Sequence, residues 1–196
     1  MTPETPTYAS RAGLKLHTAL QAYDLDVTGL TCADLGCSTG GFVDCLLQHG
    51  AKHVYAVDTA YGELAWKLRQ DPRVTVLERS NALHLEPAAA CDLVTVDLGW
   101  TPQRLAIPAA SRWLSGNPAG RIISLVKPHY EDSPGAFAGK KKGKLDDQQA
   151  LTVADRVIQD LDKIGFKALS TVPSPIRGGK GGNLEVLALL KPADPV

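Results

Sequence analysis

The stretch Cys32-Ala33-Asp34-Leu35-Gly36-Cys37-Ser38-Thr39-Gly40-Gly41-Phe42 decides the fold. An apolar run ends in a glycine-rich turn, and a second apolar run follows at once. That order predicts a buried strand, a tight turn and a helix. The three glycines allow the backbone to approach a ligand where a side chain would collide. The helix after the turn aims its unpaired N–H groups at whatever the turn holds. Asp58 falls about one βα unit later, at the end of the next predicted strand. An acid there accepts hydrogen bonds from both hydroxyls of a nucleoside ribose, as in dinucleotide-binding folds. The turn alone could be a plain βα connection; turn and acid together predict a nucleoside cofactor.

Working outward, apolar runs predict strands over residues 30–35, 53–58, 74–77, 92–97, 121–126, 166–172 and 183–190. Helical periodicity is expected over residues 10–23 with Ser10 as cap, 40–49, 62–69 and 105–114. Thr101-Pro102 reads as cap and first turn of the last of these, and Pro108 as a delay or kink. Asp146 and Asp147 open a final helix whose core face is Val153, Val157, Ile158, Leu161 and Ile164. Strands and helices alternate until the last two strands, which have only the loop 173–182 between them. That loop is too short for a right-handed crossover, so the last strand runs antiparallel. The expected fold is α/β: an open, mostly parallel seven-stranded sheet with one antiparallel edge strand, as part of an edge hairpin, and helices on both faces.

The chain has 196 residues, 44% of them hydrophobic, enough for one domain spanning residues 1–196 with 1–8 as a tail. The formal net charge is zero, so any nucleic-acid contact must come from a local patch. Aromatic residues are only 6%, which argues against a stacking platform for single strands. No apolar run is long enough to span a membrane. The polar, proline-containing start is not a signal peptide. Cys32, Cys37, Cys45 and Cys91 form no Cys-x-x-Cys pair and lie in or beside apolar runs, the usage of a reduced, cytoplasmic protein. The five histidines show no ligand spacing, and no metal site is expected.

In an open α/β sheet, ligands bind at the carboxyl ends of the parallel strands. Gly36, Asp58, Asp97 and Lys127 all fall there. Glu185 starts the antiparallel strand, so it reaches the same edge, and Lys15 on the first helix is within reach. Two lysines and two acids beside a nucleoside cofactor form a chemical constellation. A lysine near its ordinary pKa of about 10.4 is no base, but a neighbouring cation and burial lower it. One lysine could then take a proton from a hydroxyl while the acids hold other groups. Singly, each has a plainer reading: Asp97 and Lys127 as strand-end residues, Lys15 as a solvated helix face, Glu185 as a partner of Arg177 or Lys180.

These residues resemble a family, the FtsJ-like ribose 2′-O-methyltransferases, most closely their TlyA (hemolysin A) branch. The matching stretches are Ser10-Arg11-Ala12-Gly13-Leu14-Lys15-Leu16, residues 34–44, Val54-Tyr55-Ala56-Val57-Asp58, residues 61–69, Asp71-Pro72-Arg73-Val74, residues 77–82, Leu125-Val126-Lys127-Pro128 and Gly182-Asn183-Leu184-Glu185. They run in order through nearly the whole chain. The resemblance implies a Rossmann-like class I fold, S-adenosylmethionine as methyl donor, and a ribose 2′-hydroxyl of RNA, in ribosomal RNA or a ribosomal subunit, as acceptor. The family's Lys-Asp-Lys-Glu tetrad maps onto Lys15, Asp97, Lys127 and Glu185. Lys127 would be the base, Asp97 and Lys15 would tune and orient it, and Glu185 would help position the acceptor. Asp34, Gly36, Cys37, Ser38, Thr39, Gly40, Gly41 and Phe42 would hold the methionine end and ribose of the donor. Asp58 would take the ribose hydroxyls, Asn81 and Ala82 would lie near the adenine, and Asp97 would touch both donor and acceptor.

Three departures from the family stand out. Its TlyA members usually carry a small RNA-binding domain ahead of the methyltransferase, and this chain is expected to lack it. Leu98-Gly99-Trp100 follows Asp97 where the family tends to have Ser-Phe. Lys140, Lys141, Lys142 and Lys144 stand in a loop that is glycine-rich in the family; they are either phosphate contacts or a solvated run. Two rival functions are weighed. Gly36-Cys37-Ser38-Thr39-Gly40 fits the G-x-S-x-G elbow of a serine hydrolase, with Asp97 and His129 following in that order. The alternative is a catalytically weak or inactive methyltransferase-like protein that binds RNA or cofactor without turnover.

Overall fold

The predicted strand, turn and helix form as Thr31–Leu35 (β1) and Gly41–Gln48 (α2), joined by the glycine turn. A computed structural model describes residues 7–114, 116–131, 145–178 and 182–193. Ala12–Ala22 (α1) precedes β1, and His53–Val57 (β2), Trp66–Arg69 (α3) and Val74–Leu77 (β3) follow α2. Next come Leu93–Val96 (β4), Gln103–Ser111 (α4) running into a 3-10 turn at Arg112–Leu114, and Arg121–Val126 (β5). Pro128–Glu131 (α5), Asp147–Lys163 (α6), Phe166–Pro173 (β6) and Val186–Pro192 (β7) complete the chain.

Among the described residues, seven strands form one sheet in the order β3-β2-β1-β4-β5-β7-β6. β1 pairs parallel with β2 and β4, and β4 with β5. β7 pairs antiparallel with both β5 and β6. The edge hairpin expected from the short last loop therefore exists, with β6 outermost and the antiparallel β7 inside it. α1 and α2 cover one face together with Leu64 and Leu68; α4, the Trp113 turn and α6 cover the other. The central parallel strands β1, β4 and β5 are buried on both faces, which is why they read as continuous apolar runs rather than alternating ones.

Four local expectations change. Residues 62–69 form only one helical turn, Trp66–Arg69, because Gly62 takes φ +83 and donates its N–H to Glu78 Oε1 at 2.9 Å. α1 is capped by Arg11 without a side-chain bond; Ser10 Oγ accepts from Ala12 N at 3.3 Å instead. Pro102 is the N-cap of α4 rather than a residue of its first turn. The loop expected from residue 129 begins with the short helix α5; its lysine-rich part, Lys140 to Lys144, lies outside the described residues. At the other end Tyr8, counted with the tail, packs its ring on Gly13 and hydrogen-bonds His17 Nδ1 at 3.1 Å. Among the described residues, no helix is long and apolar enough to cross a membrane.

Candidate active site

Strand register builds the site. Leu35 sits level with Val57 on one side and Val96 on the other. The next residues, Gly36, Asp58 and Asp97, therefore emerge side by side at the carboxyl edge. Val126 of β5 pairs with Val186 of β7, so Lys127 and Glu185 leave the sheet as neighbours. Lys15 comes down from α1, one position before the fully buried Leu16.

The four tetrad residues form two ion pairs. Lys127 Nζ lies 2.5 Å from Asp97 Oδ1. Lys15 Nζ bonds Glu185 Oε2, and both side chains are buried. Arg177 does not compete for Glu185; it forms a two-pronged pair with Asp147 at 2.5 and 2.7 Å. Gly178 makes room for Glu185: a Cβ there would stand 2.0 Å from Oε1. The Lys15–Glu185 pair is buried and the Lys127–Asp97 pair half-buried, so two amines and two carboxylates stand pre-positioned at the sheet edge.

Two cavities meet at this edge. A cleft of about 380 Å³ is lined by Asp58, Thr59, Ser80, Asn81, Ala82, Leu83, Leu98 and Thr101, among others. A smaller one of about 110 Å³ is lined by Ser10, Ala12, Asp34, Cys37, Gly41 and Phe42, among others. Gly36, Ser38 and Asp97 line both. The predicted cofactor residues thus divide between them, except Thr39 and Gly40, which line neither. Thr39 accepts Ala65 N at 3.1 Å through its carbonyl, and Gly40 donates to Cys37 O at 2.7 Å, so both shape the turn. Sequence reasoning missed Ser10, Ala12, Thr59, Ser80, Leu83, Leu98 and Thr101. Ser10, Ala12 and Ser80 stood inside quoted stretches, and Leu98 beside a noted departure; neither fact says that a side chain faces a cavity.

Asp58 Oδ2 accepts Ser38 N at 2.7 Å and Oδ1 accepts Ala60 N at 2.8 Å. Each oxygen keeps a second lone pair for a hydroxyl. Asp34 is fully enclosed. Its Oδ1 accepts the Thr95 hydroxyl at 2.7 Å, while Oδ2 has no partner. Burial pushes its pKa up to about 7, with Asp97 and Asp58 adding to the rise and the Thr95 bond and a weaker contact with the Val43 backbone opposing it. An orphaned buried carboxylate oxygen beside the small cavity, with two more carboxylates around it, fits a cationic ligand. S-adenosylmethionine carries a sulfonium and an ammonium group, so the residues present fit it.

The glycines answer mainly to the protein itself. A Cβ on Gly36 would meet Asp97 O at 2.5 Å; on Gly40, Leu68 at 2.3 Å; on Gly41, Ser10 Oγ at 2.4 Å and Gly13 N at 2.9 Å. Gly36 and Gly40 also take φ +91 and +95. The close approach that they permit is of the turn to β4, α3 and α1. The hydrolase reading loses its base: Asp97 is paired with Lys127, and Ser38, Asp97 and His129 make no hydrogen bond with one another among the described residues. Burial holds the Cys37 thiol well above its ordinary value, so it is no nucleophile either.

An open parallel sheet with its antiparallel strand slotted between β5 and β6, and an acid-lined cleft at the carboxyl edge, define a Rossmann-like class I methyltransferase fold. Solved methyltransferases share it at 17% and 18% identity. The FtsJ-like methyltransferase model matches residues 8–191, and the chain belongs to that family. It is 38% identical to the Mycobacterium tuberculosis 16S/23S rRNA (cytidine-2′-O)-methyltransferase TlyA, over 97% of this chain and 71% of that protein. It is 40% identical to the Bacillus subtilis protein YqxC, provisionally named an rRNA methyltransferase, over 92% of this chain. The match spans 64% of the length of that relative. A Streptococcus thermophilus structure, provisionally designated a hemolysin, superposes with a TM-score of 0.88 at 36% identity, covering 98% of this chain and 70% of that one.

Proposed function

We propose that this chain is one methyltransferase domain that moves the methyl group of S-adenosylmethionine to a ribose 2′-hydroxyl of ribosomal RNA, in the cytoplasm. The observation that carries the reading is the doubly paired cluster Lys15–Glu185 and Lys127–Asp97 opening beside an acid-lined nucleoside cleft. The likeness to TlyA names the acceptor class.

The donor supplies an electrophilic methyl carbon on a sulfonium. The rest falls to the chain. Asp34 and the 36–42 turn hold the amino-acid end, and Asp58 takes the ribose hydroxyls. Ala82, Leu83 and Leu98 give the base apolar walls, with Asn81 at the rim. Asp97, shared by both cavities, links the donor to Lys127. Lys127 would take the proton of the ribose 2′-hydroxyl, and Asp97, its partner at 2.5 Å, would steady the ammonium that results. Glu185, held by Lys15, would position the acceptor ribose. Proton bookkeeping closes within the cluster: the hydroxyl proton ends on Lys127 Nζ.

Labelled methyl transfer to unmodified ribosomal RNA and to ribosomal subunits, followed by digestion to nucleosides, tests the reading. Label in a 2′-O-methylnucleoside supports it. Label on a base would make the chemistry wrong. Cofactor binding with no transfer to either acceptor would favour a binding protein without turnover.

A further inference from the structure

Aromatic residues are scarce in this chain, but where they stand matters more than their number. Among the described residues, the most exposed large apolar side chains are Tyr61 at 68%, Trp66 at 73% and Trp100 at 82%. All three lie on connections that leave the carboxyl ends of β2 and β4, the edge that holds the cofactor cleft. Trp100 stacks on Tyr130, with ring centroids 4.3 Å apart. On the other side of the cleft, the Arg79 guanidinium lies over the Tyr61 ring, 4.3 Å from its centroid. Among the described residues, no carboxylate pairs with Arg79.

The backbone that carries the Tyr61–Arg79 pair is tethered at the exits of β2 and β3. Arg79 N donates to Ala60 O at 3.2 Å, Ser80 N to Asp58 O at 2.9 Å, and Gly62 N to Glu78 Oε1 at 2.9 Å. Arg69 pairs with the same Glu78 oxygen. Arg79 itself takes φ +53, a conformation that bulky residues avoid. The scaffold therefore holds a large ring and a cation out in water, at the cost of backbone strain, without either covering the core. Both flank the cleft: Thr59 and Ser80, their near neighbours in sequence, line it, whereas Tyr61 and Arg79 do not.

We propose that Tyr61 and Arg79 form an anchor for single-stranded RNA beside the target nucleotide, the ring stacking on a base and the guanidinium pairing with a phosphate. A base has a π-face whatever its identity, and Arg combines stacking with phosphate contact. The inference rests on the RNA-directed reading above and adds to it a surface outside the cofactor cleft.

The test is fluorescence anisotropy with a labelled single-stranded RNA dodecamer, beside the same strand annealed to its complement, and calorimetry of S-adenosylmethionine on each variant. Tyr61→Ala is expected to weaken single-strand binding about tenfold, and Tyr61→Phe to restore it. Arg79→Gln should lower the slope of log affinity against log salt by about 0.7, one phosphate contact. Cofactor affinity should stay within twofold throughout. The anchor is overturned if the wild type does not bind the single strand, if Tyr61→Ala binds it normally, or if cofactor affinity falls in parallel. The two readings fail separately. Methyl transfer to ribosomal RNA with an unchanged KM in Tyr61→Ala sinks the anchor alone. Tyr61-dependent RNA binding without any transfer sinks the enzyme reading alone.

Discussion

Asp34 is a fully buried carboxyl group with one oxygen unpartnered. With its pKa near 7 in the free protein, it is protonated below that pH. A ligand cation beside it favours the ionised form, so binding must release a proton there. Affinity for S-adenosylmethionine should therefore rise with pH up to about 7 and level off above it, and Asp34→Asn should flatten the rise. Calorimetry in buffers of different ionisation enthalpy reads that proton; a wild-type affinity that is flat with pH would contradict the assignment. The same raised pKa means that the folded state binds more protons than the unfolded chain from about pH 4 upward, so stability of the free protein falls as pH rises toward 7. The Lys15–Glu185 pair yields a second prediction. Glu185→Ala leaves a buried ammonium without its carboxylate and should cost about 3 kcal/mol. Lys15→Met with Glu185→Leu should recover most of that in chemical unfolding yet remain without methyl transfer; recovery of both would make the pair structural. At this scale the sequence was largely legible. Strand ends can be read from apolar runs, which brought Asp97, Lys127 and Glu185 to one edge. The pairing was not legible, because Lys15 and Glu185 are 170 residues apart and meet only through the β5–β7 register.

The glycine turn acts as a hinge-point of packing between elements. Gly41 lies where α2 touches α1, and a methyl group there meets the backbone of Gly13. Gly41→Ala should push α1 outward, at a cost of about 1–3 kcal/mol in denaturant melts. Since α1 carries Lys15, transfer should fall further than cofactor affinity does; an equal fall in both would place the damage in the cofactor pocket. Strands and long helices were readable from period and apolar runs, and α6 from its Asp146 start, which closes a capping box with Gln149. The shortened α3 was not. Its loop is fixed by Glu78 and Arg69, side chains on opposite sides of β3, and no local pattern announces a tether of that kind.

At the scale of the whole molecule, two buried layers hold a sheet whose carboxyl edge carries almost everything polar that matters. The order of the last two strands was legible from the short loop between them, although the slot of β7 between β5 and β6 depends on pairings across the sheet. The exposed positions of Tyr61, Trp66 and Trp100 were not legible from composition, since a count of rings does not say where they stand. The account depends most on Lys127 as the base next to a preformed donor site. The most direct measurement is single-turnover methyl transfer to ribosomal RNA by wild type and Lys127→Ala, with the S-adenosylmethionine dissociation constant determined for both. The account predicts a rate lower by a factor of about 100 to 10,000, with the dissociation constant within twofold. A Lys127→Ala protein that transfers methyl at the wild-type rate would contradict it.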